Sequence, residues 1–341
     1  MSEHHFAAPR EPLRLAYFIT SYGDGVQLLR LVRVLRAGDP DAEIVVQHDE
    51  THNALDRAPL DALGVHVLLS PETIGWGDIT LDRARWRVYG WILEHLDVDW
   101  VMMLSEQDHP TAPLGVLRER LGAAAANGTD VVMEAWRLDE IPDPEIRAEA
   151  AQRYRFQWYA LPTTGLARHL PRPVARFVDR AAGVLVHRLH KHGLPVRLAL
   201  AMPSVGVPAR IGFRALRTPF DRAHPGWHNN CWFALDRRAM QAVVTRIEAD
   251  PALVRYYERT VIPVESLFAT ILENDPSIRV EHESLHTIRW SDHRSGRPDV
   301  FTVEDVPMLV AAPHPFARKF GADPRVLDAL AEHVLLTKEP S

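Results

Sequence analysis

A run of five apolar residues at 100–104 ends abruptly in the polar and acidic segment 105–108, and Pro110 closes the turn. An apolar run of this length is typical of a strand that is buried on both faces of a parallel sheet. In open α/β sheets, ligands bind beyond the carboxyl ends of the strands. The segment therefore predicts a crevice lined by polar side chains. The alternative is a capped strand-to-helix turn, in which Asp108 and Pro110 start a helix at 113–125.

The hydrophobic pattern around this segment predicts an α/β fold. Strands alternate with helices over the first 135 residues, which is typical of βαβ units and a mostly parallel sheet. The predicted strands cover 13–20, 42–48, 65–69, 99–104 and 129–135, and the predicted helices cover 26–36, 80–96 and 113–125. The sequence contains neither a Gly-x-Gly-x-x-Gly motif nor a P-loop, so it supports neither a dinucleotide fingerprint nor an NTPase.

The chain divides into three segments of one predicted domain. Residues 13–135 form an α/β half of the nucleotide-binding type. Residues 136–226 are charged, interrupted by prolines and without a clear period, which predicts a helical and irregular insertion that acts as a wall or lid. Residues 227–337 return to strand and helix character and supply the rest of the site and the closing helices.

Composition excludes several classes of protein. A net charge of −6 and a pI near 6.3 argue against a nucleic-acid or anionic-membrane binder. The single cysteine, Cys231, excludes an internal disulfide framework and favours a reducing compartment. The N-terminal residues lack the apolar segment of a signal peptide, and no run of 18 apolar residues is present. We therefore expect a soluble, cytoplasmic protein without a transmembrane segment.

Six local motifs resemble, in order along the chain, those of the core-2/I-branching β-1,6-N-acetylglucosaminyltransferases and peptide O-xylosyltransferases, glycosyltransferase family 14. Leu-Ser-Glu-Gln-Asp-His-Pro at 104–110 is similar to the family's Leu-Ser-Gly-Gln-Asp-Tyr-Pro. The other motifs lie at 75–77, 229–235, 263–268, 288–291, and 301–305 with 316–320. The chain departs from the family where Glu106 replaces a glycine, Asn229 and Asn230 replace Gly-Ser, and Val264 replaces an aspartate.

The resemblance implies a GT-A type glycosyltransferase fold, a Rossmann-like, mostly parallel sheet flanked by helices. It implies an inverting enzyme that moves a sugar, GlcNAc or xylose, from a UDP-sugar to an acceptor hydroxyl and forms a β-glycosidic bond. The UDP-sugar is a co-substrate, and neither a cofactor nor a divalent metal is required. The acceptor would be a glycan, a polysaccharide or a small metabolite.

Three residues take charged roles by their positions in the motifs. Inverting transfer needs a base that deprotonates the acceptor hydroxyl, and Glu265 occupies the position of the family's base. The alternative is that Glu265 is an N-terminal helix residue favoured by the helix dipole. Lys319 matches the lysine of the pair that neutralises the UDP diphosphate, and Arg297, with Arg294 as the fallback, matches its arginine. The alternative for Lys319 is a solvated lysine beside a helix.

Further residues are expected to contact the nucleotide or the sugars. Asp49, at the end of the second predicted strand, would bond the uracil or ribose, or it would simply cap the strand. Trp76 would lie beside the nucleotide. The remaining predicted contacts, to the donor sugar and the acceptor, are Glu106, Asp108, Asn230 and Trp232, of which Trp232 is slightly better explained as a core residue.

Two other functions remain open at this stage. One is a non-catalytic protein that binds a sugar or nucleotide on the same fold. The other is a metal-dependent, nucleotidyltransferase-like enzyme, in which the acid-x-acid pair Glu106 and Asp108 would hold a metal with diphosphate oxygens. The first would lack turnover, and the second would lose activity in EDTA.

Overall fold

The computed structural model describes residues 13–75, 77–160, 196–199, 210–291 and 297–336. In these residues a seven-stranded sheet forms the centre of the molecule, with the strand order β11-β6-β10-β4-β1-β2-β3. The strands of this sheet are β1 (Leu15–Ser21), β2 (Glu43–His48), β3 (His66–Leu69), β4 (Trp100–Ser105), β6 (Val131–Arg137), β10 (Trp227–Asp236) and β11 (Val280–Glu281).

Helices cover both faces of this sheet. They are α1 (Val26–Gly38), α2 (Ala58–Asp61), α3 (Ile79–His95), α4 (Leu114–Ala126), α5 (Pro144–Tyr154), α6 (Arg237–Ala249), α7 (Pro251–Tyr257), α8 (Leu267–Glu273), α9 (Val306–Val310) and α10 (Pro324–Leu336). Short 3-10 turns cover Pro263–Glu265 and Val303–Asp305. Asp236 caps the start of α6, because its carboxylate accepts a hydrogen bond from the Ala239 N–H at 2.7 Å.

The central sheet is mainly parallel, as predicted. β1 pairs in parallel with β2 and with β4, and β2 pairs in parallel with β3. Only β10 runs against its neighbours β4 and β6. Because β2 and β4 flank β1 on opposite sides, the strand order reverses between β1 and β4. In open α/β sheets such a reversal leaves a crevice at the carboxyl ends, where ligands bind.

The core consists of two apolar layers, one on each face of the sheet. Successive side chains of a strand point to opposite faces, and β1 shows this directly. Ala16 and Phe18 pack into the layer that contains apolar residues of α3, α6 and α8. Leu15, Tyr17 and Ile19 pack into the layer that contains those of α1, α4 and α10. Since both faces of β1 and β4 are buried, these strands need the continuous apolar runs that the sequence carries.

A small second sheet, which the sequence did not predict, covers the carboxyl end of β4. Its strands are β12 (His286–Ile288), β13 (Phe316–Arg318) and β5 (Asp108–Pro110), with β13 in the middle. Arg318 pairs with Asp108, so the closing motif lies directly against the polar turn after β4. The turn therefore continues into a short strand and not into a capped helix.

The described part of the insertion differs from the prediction of a helical and irregular segment. It begins with α5 and then forms a third sheet from β7 (Phe156–Ala160), β8 (Val196–Ala199) and β9 (Arg210–Arg214). Both pairings with β9 are antiparallel. The helix predicted at 173–191 lies outside the described residues. In the parts of the chain that the structure describes, no helix is long and apolar enough to cross a membrane.

Candidate active site

The carboxyl ends of β1 and β4 meet at the reversal of strand order, and Glu106 joins them. The Glu106 carboxylate accepts hydrogen bonds from the Ser21 hydroxyl at 2.6 Å and from the Gly23 N–H at 2.9 Å. A Cβ atom on Gly23 would lie 2.9 Å from a Glu106 carboxylate oxygen, so a larger residue here would displace this carboxylate. Beside Glu106 lies a cleft of about 320 Å³, lined by Tyr22, Gly23, Asp24, Gln27, Asn53, Glu106 and Gln107.

Asp108 is buried in a set of internal bonds. Its side chain is 0% exposed, and Arg318 donates to it at 2.7 Å. The Ser105 N–H donates to its second oxygen at 2.6 Å, and the His286 ring lies 3.7 Å from the same oxygen. Burial alone would raise the pKa of Asp108, but the Arg318 guanidinium and His286 hold it below its usual range. The predicted contact between Asp108 and a sugar remains a prediction, while its visible role is to hold Arg318.

Arg318 connects the second sheet to the bulge of β10. Its guanidinium also donates to the Ser105 hydroxyl at 2.9 Å and lies over the Trp232 ring, 4.0 Å from the centroid. The sequence indicated Arg318 only as part of the closing motif and gave it no role. Its partner Asp108 is 210 residues away along the chain, so no local pattern could have identified this pair.

The pairing of β10 with β6 is interrupted between Asn229 and Phe233. Within this bulge Cys231 has φ 70°, a left-handed conformation that is uncommon for residues other than glycine and recurs at functional sites. The Asn230 amide donates to the Glu134 carboxylate at 3.0 Å. Trp232 lies under Arg318, and Arg85 is 5.6 Å from its ring centroid. Trp232 is thus a buried residue that supports a cation of the site.

Three cations gather beside the polar turn: Arg318, Lys319 and Arg297. Burial lowers the pKa of Lys319, and the charges of Arg318 and Arg297 lower it further, against the effect of Asp299. Burial and Glu106 raise the pKa of the Tyr22 hydroxyl, and the same two arginines oppose this shift. In the described residues the Lys319 ammonium has no hydrogen bond or ion pair. The positive charges of Arg318, Lys319 and Arg297 therefore repel one another beside the end of β1.

The main chain after Arg318 is fixed against this crevice by two hydrogen bonds. The Phe320 N–H donates to the Gln107 carbonyl at 2.9 Å. The Gln27 side chain, on α1, donates to the Phe320 carbonyl at 2.9 Å. Lys319 thus extends from a rigid segment that bridges the turn after β4 and the first helix.

Glu265 ends a short 3-10 turn on the other side of the β10 bulge. Ile262, the residue before this turn, has φ 52°. Its carbonyl accepts a hydrogen bond from the Tyr154 hydroxyl at 2.9 Å. The Glu265 carboxylate pairs with Arg153 through one oxygen, and the His228 ring lies 4.0 Å from that oxygen. The side chain keeps 27% of its surface exposed, so it is positioned and still reachable by a ligand. Burial lowers the pKa of His228, which Glu265 opposes.

Asp49 is 1% exposed and closes the loop that follows β2. Its oxygens accept hydrogen bonds from the Thr51 N–H at 2.9 Å, the Thr51 hydroxyl at 2.6 Å and the Ile74 N–H at 2.7 Å, and they lie 3.0 Å from the His52 ring. Burial would raise the pKa of Asp49, but these bonds together lower it. The contact between Asp49 and a uridine stays a prediction. Trp76 and Arg294 lie outside the described residues.

Both carboxylates of the acid-x-acid pair are engaged by protein donors in this arrangement. The Glu106 carboxylate is occupied by Ser21 and Gly23, and that of Asp108 by Arg318 and Ser105. Among the described residues, no group of three or more His, Cys, Asp or Glu side chains is arranged to hold a metal ion.

Comparison with known proteins gives limited overlap. No protein-family model matches the chain. Over 109 residues, 31% of this chain, the sequence is 29% identical to the Beta-glucuronosyltransferase GlcAT14A of Arabidopsis thaliana. This match spans about a quarter (24%) of the length of that relative.

Solved structures overlap more of the chain but superpose poorly. Glucosyl-3-phosphoglycerate synthase from Mycobacterium tuberculosis, in complex with Mn²⁺, UDP and phosphoglyceric acid, covers 70% of this chain and 60% of its own, with 12% identity and a TM-score of 0.31. The CMP:2-keto-3-deoxy-manno-octonic acid synthetase complexed with CTP covers 71% and 84%, with 12% identity and a TM-score of 0.27. Superpositions with TM-scores this low do not define the fold, which is described from the strand order of the central sheet.

Proposed function

We propose that the chain is a glycosyltransferase of the GT-A type, which transfers a sugar from a UDP-sugar to an acceptor hydroxyl with inversion. The mainly parallel sheet and the crevice at its reversal of strand order support a nucleotide-binding fold. The 109-residue similarity to a β-glucuronosyltransferase and the order of the six motifs support sugar transfer. GlcNAc and xylose are the sugars that the motifs favour.

The observation that carries this proposal is the set of cations at the ends of β1 and β4. A departing UDP gains negative charge in the transition state, and fixed positive groups there lower the barrier. Lys319 supplies a compact charge, and Arg297 can contact two phosphate oxygens at once. The pKa of Lys319 is already lowered by burial and by the two arginines. The cations of the site therefore repel one another, and a bound diphosphate would reduce this repulsion.

Glu265 is the general base of the proposed reaction. Arg153 orients its carboxylate through one oxygen, and the exposed part of the side chain can face an acceptor hydroxyl. Inversion requires the base and the leaving group to lie on opposite faces of the sugar. The proposal therefore seats the donor sugar between the cations and Glu265, near the β10 bulge that carries Asn230 and Trp232.

The experiment is a UDP-release assay with UDP-GlcNAc, UDP-xylose and UDP-glucuronic acid, run with and without excess EDTA. We expect turnover with at least one donor and full activity in EDTA. Lys319→Ala and Arg297→Ala should each lose about 10²-fold or more in kcat, in the range of a removed transition-state donor. Arg33→Ala, which removes an exposed cation of α1, is the matched control.

Two results would refute parts of this proposal. Activity abolished by EDTA and restored by Mn²⁺ would replace the cation mechanism with a metal-assisted one. UDP binding by calorimetry without turnover of any donor would favour the non-catalytic binding protein.

A further inference from the structure

A groove of about 450 Å³ lies beyond the carboxyl end of β6. It is formed by the end of β6, the residue after α5, and the segment 214–226. Four arginines and two aspartates line it: Arg137, Arg155, Arg214, Arg222, Asp139 and Asp221. The active site described above does not use this groove.

The walls of the groove are held in place by the main chain. The Ala215 N–H donates to the Arg155 carbonyl at 3.0 Å, and the Leu138 N–H donates to the Gly226 carbonyl at 2.9 Å. A Cβ atom on Gly226 would lie 2.5 Å from a Leu138 methyl group, so the two walls approach as closely as only glycine allows. The Phe220 ring packs edge-on against the ring of Tyr257, with centroids 6.1 Å apart. The groove is thus formed before any ligand binds.

The groove carries an excess of positive charge. Arg155, Arg214 and Arg222 are exposed, and among the described residues their guanidinium groups have no hydrogen bond or ion pair. Arg137 differs from these three, because it lies near two carboxylates, with Glu140 at 3.4 Å and Asp139 at 3.7 Å. The Asp221 carboxylate accepts hydrogen bonds from two backbone N–H groups of its own turn. Three of the four arginines that line the groove are therefore without an ion-pair partner among the described residues.

The groove opens at the same edge of the sheet as the candidate active site. β10 lies between β4 and β6, so the carboxyl ends of β4 and β6 are about 10 Å apart, two strand spacings. The Glu265 carboxylate pairs with Arg153 and lies 4.0 Å from the ring of His228 on β10, the strand between β4 and β6. Arg153 is two residues before Arg155 and His228 is two residues after Gly226, so Glu265 contacts residues that adjoin both walls of the groove.

We propose that this groove binds a carboxylate or phosphate group of the acceptor, so that the enzyme selects acidic acceptors. Guanidinium groups bind both oxyanions with paired hydrogen bonds. An acceptor held there by its charge would present a neighbouring hydroxyl to Glu265, opposite the donor. The identification of the ligand as an acceptor rests on the proposed function, whereas the anion site itself depends only on the groove.

The experiment compares the full chain with Arg155→Gln/Arg214→Gln, two exposed substitutions that should leave the fold intact. Calorimetry in saturating UDP measures the binding of glucose 6-phosphate, glucuronate and glucose. We expect at least one acidic sugar to bind more tightly than glucose, and the double variant to bind it about tenfold more weakly or worse, since the variant lacks two guanidinium groups that form charged hydrogen bonds. The two acidic sugars separate phosphate from carboxylate recognition. Arg33→Gln, an exposed substitution outside the groove, should retain the affinity of the wild type.

A second measurement uses UDP release with acidic and neutral acceptors. The preference in kcat/KM for the acidic acceptor should disappear in the double variant, while UDP affinity stays unchanged. Equal binding of glucose and both acidic sugars by the wild type, or unchanged binding in the double variant, would overturn the anion site. Anion binding that depends on the two arginines in a chain that turns over no donor would instead reject the proposed function and leave the anion site standing.

Discussion

Replacing Asp108 with asparagine tests whether this carboxylate supports the site or contacts the sugar. The substitution keeps the size of the side chain and removes its charge. It takes away the acceptor of the Arg318 hydrogen bond at 2.7 Å and weakens that of the Ser105 N–H at 2.6 Å. Because Asp108 is fully buried and Arg318 is only 12% exposed, water cannot replace the lost charge.

The expected cost follows from this burial. Removing one partner of a buried ion pair typically costs about 3–5 kcal/mol, because the other charge stays buried without compensation. The entropy of unfolding near the midpoint is roughly 2.1 cal/mol/K per residue. For a chain of 341 residues this amounts to about 0.7 kcal/mol/K, so we expect Tm to fall by about 4–7 °C.

The assay is thermal unfolding followed by circular dichroism, combined with UDP binding. Glu119→Gln, the same chemical change at an exposed carboxylate, should leave the free energy of unfolding within about 0.5 kcal/mol of the wild type. In a double-mutant cycle, Arg318→Met should cost less in the Asp108→Asn background than alone, because the two residues act as one pair. An Asp108→Asn variant that is as stable as the wild type but has lost turnover would refute this reasoning. It would restore the sugar contact that the sequence predicts.

Three further predictions concern other charged groups. Glu265→Gln should lower kcat by about 10²–10⁴ with near-normal UDP affinity, as expected for a lost general base, and near-normal turnover would reject the assignment. Asp49→Ala should weaken UDP binding by about 1–3 kcal/mol in calorimetry, because the loop bonded through Ile74 loses its anchor, and unchanged affinity would remove Asp49 from the nucleotide site. Burial raises the pKa of Asp82 to about 8 from 3.8, so the native state keeps a proton that the unfolded chain releases, and stability is lost as pH rises from about 4 to 8. Asp82→Asn should therefore stabilise the protein in urea unfolding at pH 8 and have no effect near pH 4, whereas an effect independent of pH would contradict the assignment.

The central sheet could be predicted because its signals are local. A strand buried on both faces needs a continuous apolar run, and a helix on that sheet needs apolar residues at helical spacing. β1, β2, β4 and α3 are therefore found within a few residues of their predicted positions. The position of the polar turn after β4 follows from the same pattern, since the apolar run ends where the strand leaves the core.

The second sheet could not be predicted from the sequence. β5 and β13 are three residues long, too short for a periodic signal, and each is a strand only because the other lies beside it. The six motifs identified Glu265 and Lys319 by position, but motif position does not describe what surrounds a side chain. It did not indicate that Asp49 would accept hydrogen bonds from Thr51 and Ile74, or that Glu106 would accept them from residues at the end of β1.

The sequence by itself thus determined the class of fold and the edge of the sheet at which polar residues gather, because periodicity and apolar runs are properties of neighbours along the chain. The tertiary structure decided which charges meet. Arg318 finds Asp108 across 210 residues, and Arg153 finds Glu265 across 112. The arginines of the groove come from β6, the end of α5 and the segment 214–226. Electrostatic interactions depend on distance in space and on burial, and both exist only once the chain has folded.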